Sequence, residues 1–301
     1  MSSHGSALSA LKRNGRATIS SLLGRVGVEL VRAGKAVIDL RGVTGDPVEA
    51  AYRAGLRPFL IDVPLVSCRV LPGSGFACTT TAGNPFVDTL IAYGADRQLD
   101  YERSPLAGFY AAWQPRTLVA ALGLEGQAVS PELGAAPPLG LVMPWQAWTP
   151  AEAGKRWASF IELDNREHGT KVGIGAGWKA WGPIEPAVAL QEFRRLTGIY
   201  DAIAREGYRR SDAPDGDIKG VVLVGGDGFR VLVTAGHHRA SALTALGKET
   251  APIRIDNPVV RRSEAGAWPN VRSGLFSEAQ ALAVFDRLFA GAQPAGCRWP
   301  Q

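Results

Sequence analysis

Hydrophobic and polar residues follow their clearest pattern between residues 221 and 255. β-Branched residues dominate 221–224 and 231–234, and each run predicts a strand. Between them stands Gly225-Gly226-Asp227-Gly228, a composition typical of a hairpin turn. A further strand is predicted over 251–255. The pattern therefore predicts an antiparallel hairpin and one later strand within a short stretch of chain.

A helix is predicted after this hairpin. Small and apolar residues fill 240–246, and Gly247 stands where a helix ends in left-handed geometry. The polar sequence Gly236-His237-His238-Arg239 thus lies where the second strand becomes the helix, and it holds two of the four histidines of the chain.

This junction is a candidate anion site. The first turn of a helix carries backbone N–H groups without partners and the positive end of the helix dipole, and anions bind there. Gly236 allows close approach to the backbone, and Arg239 can bind phosphate oxygens through two N–H groups. His237, His238 and the hydroxyl of Ser241 add further donors. The alternative is structural: the glycine makes a turn, the histidines cap the helix, and the arginine pairs with a surface carboxylate.

The order of elements extends upstream and resembles the ParB and sulfiredoxin superfamily. Residues 192–208 match the family's helix ending in glycine, 220–224 match the strand that follows it, and residues 236–239 match the phosphate-binding Gly-x-x-Arg box. The resemblance covers Glu192 to Ile255. It implies an α+β fold, with a ParB/sulfiredoxin-like mixed α/β domain in the C-terminal half and a separate α/β region before it.

Departures from the family limit the activity that it implies. Histidine replaces the cysteine of the sulfiredoxin box, so sulfinic-acid repair is not implied. The free-serine kinase branch carries Asp-Gly-His-x-Arg, and Ala235 stands in the place of its acid. The other catalytic acid of that branch, a glutamate at the start of the helix before the first strand, is matched by Glu192.

The resemblance implies a nucleotide-dependent phosphotransferase, similar to a kinase, that acts on a hydroxyl of a small molecule or sugar. ATP or another nucleotide is the expected cofactor, together with Mg²⁺, and no protein side chain is assigned as a metal ligand. Glu192 and His238 are the expected catalytic residues, with Glu192 as the general base on the acceptor hydroxyl. The residues expected to bind nucleotide phosphates are Gly236, His237, His238, Arg239 and Ser241.

A non-catalytic ParB-like module is the alternative, in which a nucleotide controls association with DNA or a protein partner. Glu192 favours the enzyme, whereas Ala235 argues against it. The segment after Ile255 is too short for the helix-turn-helix reader of the partitioning proteins together with a dimerisation domain, which disfavours that role.

Length and proline content predict two regions. With 301 residues, 46% of them hydrophobic and 20% charged, the chain has the composition of a soluble globular protein. The prolines within 125–150 predict a linker or an irregular crossover. We therefore expect an α/β region of unknown role over 1–150, and the nucleotide-binding domain over 151–301 with a closing helix capped by Ser277.

The N-terminal half holds a second candidate for ligand binding. Tyr101, Tyr110 and Trp113 can form the apolar walls of a pocket, with Glu102 and Arg103 as polar contacts. Aromatic residues more often belong to the core, and both interpretations stay open.

A cluster of acidic residues and a histidine falls in the helix predicted over 155–168. Asp164 and His168 are at i and i+4 and can share one face, as metal ligands must, although a solvated helix face is the simpler explanation. The glycine-rich run 171–178 after it predicts a loop that could close over a ligand, but it lacks the ending of a Walker A loop.

Charge and cysteine content bear on partners and location. The net charge of +5 permits nucleic-acid binding, but the basic residues are spread along the chain, so DNA is possible and not favoured. Basic and apolar residues mix in 6–34, which predicts a packing helix or a helix on a membrane surface, and no apolar run is long enough to span a bilayer. Cys68, Cys78 and Cys297 do not have the spacing of a disulfide framework or zinc site. A cytoplasmic location is expected.

Overall fold

Strands from both halves of the chain form one sheet in the computed structural model. The structure describes residues 37–55, 57–81, 83–169, 172–210, 216–226, 228–256 and 259–299. Its strands are β1 (Ile38–Asp39), β2 (Phe59–Pro64), β3 (Cys68–Val70), β4 (Phe76–Ala77), β5 (Ile218–Gly225), β6 (Gly228–Ala235), β7 (Thr250–Ile255) and β8 (Val260–Arg261). The helix predicted within 6–34 lies outside the described residues.

The predicted hairpin is the centre of this eight-stranded mixed sheet, whose order is β1-β2-β7-β5-β6-β3-β4, with β8 beside β5. β5 and β6 are antiparallel, with Val221 opposite Leu232. β7 is parallel to β5 and antiparallel to β2, and β6 is parallel to β3. β2 and β3 thus cover the edges that β7 and β6 would otherwise expose. The sheet therefore does not divide at the predicted boundary near residue 150.

Helices account for most of the regular structure in the described residues. They are α1 (Pro47–Ala54), α2 (Pro85–Ala95), α3 (Pro105–Ala112), α4 (Leu118–Leu122), α5 (Pro131–Ala135), α6 (Pro150–Glu167), α7 (Pro186–Glu206), α8 (His237–Ala245), α9 (Pro269–Arg272) and α10 (Glu278–Ala290). The mixture of helices and strands agrees with the α+β class in general. The ParB/sulfiredoxin-like arrangement stays a prediction.

Local capping chemistry sets where the longer helices begin. Thr149 and Glu152 form a capping box at the start of α6, with Pro150 as the first helical residue. Ser277 and Gln280 do the same for α10, which confirms the predicted N-cap of the closing helix. The proline-rich stretch before α6 contains the short helix α5 and a 3₁₀ turn at Pro138–Gly140, so it is irregular as expected.

The helix α8 is buried between α2 and α7, as its small residues predict. Ala240, Ala242 and Leu243 are at most 3% exposed. Small side chains allow close helix packing, so α8 sits in the interior with only its first turn reaching the surface of a cleft.

Helix α10 fixes the turn that follows β3. The Arg287 guanidinium donates to the Gly73 carbonyl at 2.7 Å and to the Ser74 carbonyl at 3.1 Å. Burial lowers the pKa of Arg287 to about 10, so it remains charged at neutral pH. This anchor holds Leu71 and Pro72 beside the start of α8.

Replacing Gly236 by alanine should destabilise the fold more than the same change at Gly247. Both glycines have positive φ, +82° and +69°, but a Cβ at Gly236 would lie 3.1 Å from the Ile218 Cα, whereas one at Gly247 has no neighbour within 4 Å. We expect losses of about 2–3 kcal/mol and about 1 kcal/mol in the free energy of unfolding, measured by urea denaturation. Equal losses in the two variants would show that Ile218 moves aside.

Candidate functional site

The candidate site begins at the turn between β6 and α8. Gly236 is the N-cap residue of α8 and adopts the left-handed conformation, which favours glycine. No side chain caps this helix, and its first internal bond runs from the Ala240 N–H to the Gly236 carbonyl at 3.0 Å. The N–H groups of His237 and His238 precede that bond, at the end of the helix where anions are favoured.

His238 is held by Glu192 across the interface between α8 and α7. Its Nε2 lies 2.6 Å from the Glu192 Oε1, and both residues are buried. The Phe86 ring stacks on the imidazole with 5.1 Å between centroids. The structure therefore brings the two predicted catalytic residues into direct contact and fixes the orientation of the imidazole.

Burial and neighbouring charges set the protonation of this pair. Burial lowers the pKa of His238 and outweighs the attraction of the Glu192 carboxylate. Burial raises the pKa of Glu192, but His238, Lys179 and Arg195 outweigh it and hold that pKa well below its usual range. At neutral pH, a neutral imidazole thus donates its Nε2–H to a carboxylate. The Nδ1 lone pair is the remaining basic position of the ring.

His237 is fixed by the turn after β3. Its Nδ1 accepts a hydrogen bond from the Leu71 N–H at 3.3 Å, which places the proton of the neutral ring on Nε2. Burial lowers the pKa of His237 to about 3. Leu71 has a φ of +62°, a left-handed conformation that costs a residue with a side chain about 1–3 kcal/mol. The strained turn therefore selects one tautomer of His237.

Arg239 is anchored to the start of the central hairpin. Its Nη2 donates to the Asp217 carbonyl at 3.3 Å. The Asp217 carboxylate is buried and lies 2.8 Å from the Arg210 Nε and 3.8 Å from the Arg254 Nη1. These contacts keep the Arg239 guanidinium beside the junction of β6 and α8.

A cleft of about 600 Å³ opens at this junction. Its walls come from α6, α7, the turn at Pro72 and the end of β6. All four residues of the Gly236–Arg239 box line it. This volume is in the range of small-molecule binding sites. The predicted anion site is therefore the wall of an open cleft.

Ser241 and Glu192 lie behind the wall of that cleft. Ser241 is completely buried, does not line the cleft, and has no hydrogen-bond partner for its Oγ among the described residues. Its position one turn into α8 directs the side chain to the interior, so the predicted phosphate contact from Ser241 does not agree with the geometry. Glu192 does not line the cleft, but it contacts His238 and Arg195, which both do.

A charged network that the sequence analysis missed lines the same cleft. Arg195 donates to the two carboxylate oxygens of Asp164 at 2.9 and 3.2 Å, and its Nη1 lies 3.5 Å from the Glu192 Oε2. The Lys179 Nζ lies 3.8 Å from Asp164. In the sequence, the i, i+3 spacing of Glu192 and Arg195 places both residues on one helix face and could have indicated this ion pair. The network joins α6 to α7 directly beneath the cleft.

Asp164 is a partner of these cations rather than part of a metal centre. Burial raises its pKa, but Lys179 and Arg195 outweigh burial and hold the pKa below its usual value. His168 lies 3.5 Å from the Asp164 Oδ1. Within the part of the chain that the structure describes, no group of three or more His, Cys, Asp or Glu residues is arranged to hold a metal ion.

The aromatic residues considered as a second pocket belong to the core. Tyr110 and Trp113 are 2% and 3% exposed, and Tyr101 is half-buried against the same core. Glu102 and Arg103 are exposed. The core interpretation therefore fits this group better than the pocket.

Comparison with known proteins gives no match: no family model, no curated protein and no solved structure is similar to this chain. The resemblance to the ParB and sulfiredoxin superfamily thus stays a prediction. None of the helices in the described ranges is long and apolar enough to cross a membrane.

Lowering the pH should destabilise the protein through His237. Its folded pKa of about 3 lies below the ordinary value of 6.5, so the unfolded chain binds the additional proton. The stability contributed by the neutral ring is complete above pH 6.5 and is lost as the pH falls toward 3. Within this range the free energy of unfolding should fall by about 1.4 kcal/mol for each unit by which the pH is lowered.

Urea denaturation between pH 7 and pH 5 measures this slope while ordinary carboxylates stay ionised. His237→Asn keeps an acceptor for the Leu71 N–H but does not titrate. The free energy of unfolding of this variant should therefore depend less steeply on pH, and the difference between the two slopes is the contribution of His237. The same slope in both proteins would contradict a buried neutral His237.

Proposed function

We propose that the protein is a nucleotide-dependent phosphotransferase that transfers a phosphoryl group to a hydroxyl of a small molecule or sugar. The observation that carries the proposal is the convergence, in one cleft, of an uncapped helix start, basic side chains and a neutral histidine held by a buried carboxylate. Phosphoryl transfer depends chiefly on positioning and charge neutralisation, which such a cleft can supply.

In this proposal the nucleotide phosphates bind at the start of α8. The uncapped N–H groups of the first turn and the Arg239 guanidinium face the same cleft as Lys179 and Arg195. The tautomer of His237 leaves its Nε2–H as a further donor. Mg²⁺ is expected to enter with the nucleotide, because magnesium is commonly held by one or two carboxylates together with substrate phosphates. Of the two carboxylates that line the cleft on α6, Asp164 is already paired with Arg195, and the exposed Glu167 is the one open to such a contact.

The acceptor is activated by His238 in this mechanism. The acceptor hydroxyl gives its proton to the Nδ1 of His238 while its oxygen forms a bond to the terminal phosphorus. The bond from that phosphorus to the bridging oxygen breaks, and the nucleotide leaves with one phosphate fewer. Glu192 is bonded to His238 and does not line the cleft, so in this mechanism it is not the general base expected from the sequence. It stabilises the imidazolium that forms and keeps the ring in place, as a positioning residue.

A nucleotide-binding module without transfer activity is the second candidate. Ala235 is the observation that favours it, because the free-serine kinase branch has an acid at this position and alanine cannot take over that role. In such a module the same cleft binds a nucleotide, and occupancy changes association with DNA or a protein partner.

Replacing Arg239 by alanine should weaken nucleotide binding by about 10- to 100-fold, because hydrogen bonds to charged groups contribute about 1.5–3 kcal/mol. Calorimetric titration with ATP, ADP, CTP and GTP, with and without Mg²⁺, measures the loss. Arg272→Ala removes an exposed arginine that does not line the cleft and is the matched control. Undiminished affinity in Arg239→Ala would overturn the phosphate-site assignment.

Replacing Glu192 by glutamine should lower phosphoryl transfer by about 100-fold or more and leave nucleotide affinity nearly unchanged, because a neutral amide does not stabilise the imidazolium that forms on His238. Release of nucleoside diphosphate in a screen of sugars and hydroxy amino acids measures transfer. Glu206→Gln changes a carboxylate that lines the same cleft but pairs with Arg205, and should behave as the unsubstituted protein. Equal loss of binding and transfer in Glu192→Gln would make Glu192 purely structural.

A further inference from the structure

An aromatic wall lines the cleft beside the proposed phosphate site. It consists of Trp157 and Phe160 on α6 and Trp178 in the segment after it. All three line the same cleft as the Gly236–Arg239 box. The proposed phosphate chemistry makes no use of them.

The two indoles of this wall are held rigidly. The Trp157 Nε1–H donates to the Leu141 carbonyl at 2.9 Å, and the Trp157 and Trp178 rings lie 4.7 Å apart between centroids. Trp178 is 5% exposed, and its indole N–H has no hydrogen-bond partner among the described residues.

Phe160 is the part of the wall that the protein leaves uncovered. Its ring packs edge-on against Trp157 at 6.1 Å, yet the residue is 45% exposed. Leu163, one turn further along α6, also lines the cleft and is 50% exposed. Apolar side chains that remain open at the mouth of a cleft are typical of a surface that a ligand covers.

Charge changes from one end of the cleft to the other. The Lys179 Nζ lies 5.6 Å from the Phe160 ring centroid and 3.8 Å from the Asp164 carboxylate. Arg195 continues this chain of contacts from Asp164 to Glu192, the partner of His238. The aromatic wall is thus followed by cations and then by the helix start, an order that matches a ligand with a flat apolar end and an anionic end.

We infer that the aromatic wall is a nucleobase subsite that stacks a purine while the phosphates of the same molecule bind at the start of α8. This inference rests on the proposed function, because it assigns the other end of the same ligand. Base–aromatic stacking accepts any flat base, and the larger purine covers more of the wall than a pyrimidine does. A cleft of about 600 Å³ has room for a ligand of this size.

The test compares ATP, CTP and inorganic tripolyphosphate in calorimetric titrations, because tripolyphosphate probes the phosphate site alone. Phe160→Ala should weaken ATP binding by about 5- to 100-fold, the range expected for one stacked base, and leave tripolyphosphate binding unchanged. Phe160→Tyr should restore ATP affinity. Tyr52→Ala removes an aromatic residue that is 79% exposed and outside the cleft, and should change nothing. The unsubstituted protein should bind ATP more tightly than CTP.

The outcomes separate this inference from the function on which it rests. If the unsubstituted protein binds ATP and tripolyphosphate, and Phe160→Ala binds ATP equally well, the nucleobase subsite is wrong and the phosphate site stands. An equal loss of both ligands in Phe160→Ala also overturns the subsite, because the effect is then not specific to the base. If the unsubstituted protein binds neither ligand, the proposed function itself fails.

Discussion

The hydrogen bond between Glu192 and His238 is the contact on which the geometry of the cleft depends. It joins α7 to α8 through two buried side chains at 2.6 Å. A buried carboxylate without a partner costs several kcal/mol, so the two helices must keep the separation that preserves this bond. Because His238 lies in the first turn of α8, the same bond also fixes where the uncapped backbone N–H groups stand relative to α7.

Arg195 extends this constraint to the opposite wall of the cleft. It contacts Glu192 on its own helix and Asp164 on α6, and Asp164 in turn holds Lys179. Partly buried ion pairs that share partners act as a network, in which a change at one group is felt by the others. The distance between the aromatic wall on α6 and the start of α8 is therefore set by charged contacts rather than by apolar packing alone. The two sides of the cleft, α6 and the start of α8, are thus linked by side-chain contacts.

The sequence predicted those parts of the structure that depend on interactions between neighbouring residues. The hairpin of β5 and β6, the left-handed conformation of Gly247 after α8 and the N-cap at Ser277 all follow from turn and capping preferences of a few neighbouring residues. The family resemblance drew attention to Glu192 and His238 as separate residues, and the contact between them was not predicted.

The remaining features depend on contacts between distant residues, which local patterns do not encode. The pairing of β2 with β7 and β3 with β6 joins residues far apart in sequence, so the boundary expected near residue 150 could not account for the shared sheet. Ser241 was assigned to the cleft because its residue type suits phosphate, whereas its place in α8 turns it inward. Tyr110 and Trp113 were equally consistent with a core and a pocket, and only packing decides between these.

Both histidines at the start of α8 are neutral at neutral pH, so they do not supply the positive charge of this turn. Burial and the positive end of the helix dipole both oppose protonation, so at neutral pH the charge that attracts an anion comes from Arg239 and Lys179. In the proposed function, the Nδ1 of His238 can therefore accept a proton while the phosphates bind at the same turn. In the proposed function, the negative charge of a bound polyphosphate would favour the imidazolium and so raise the pKa of His238. The proposal therefore couples proton transfer from the acceptor hydroxyl to the presence of the nucleotide in the cleft.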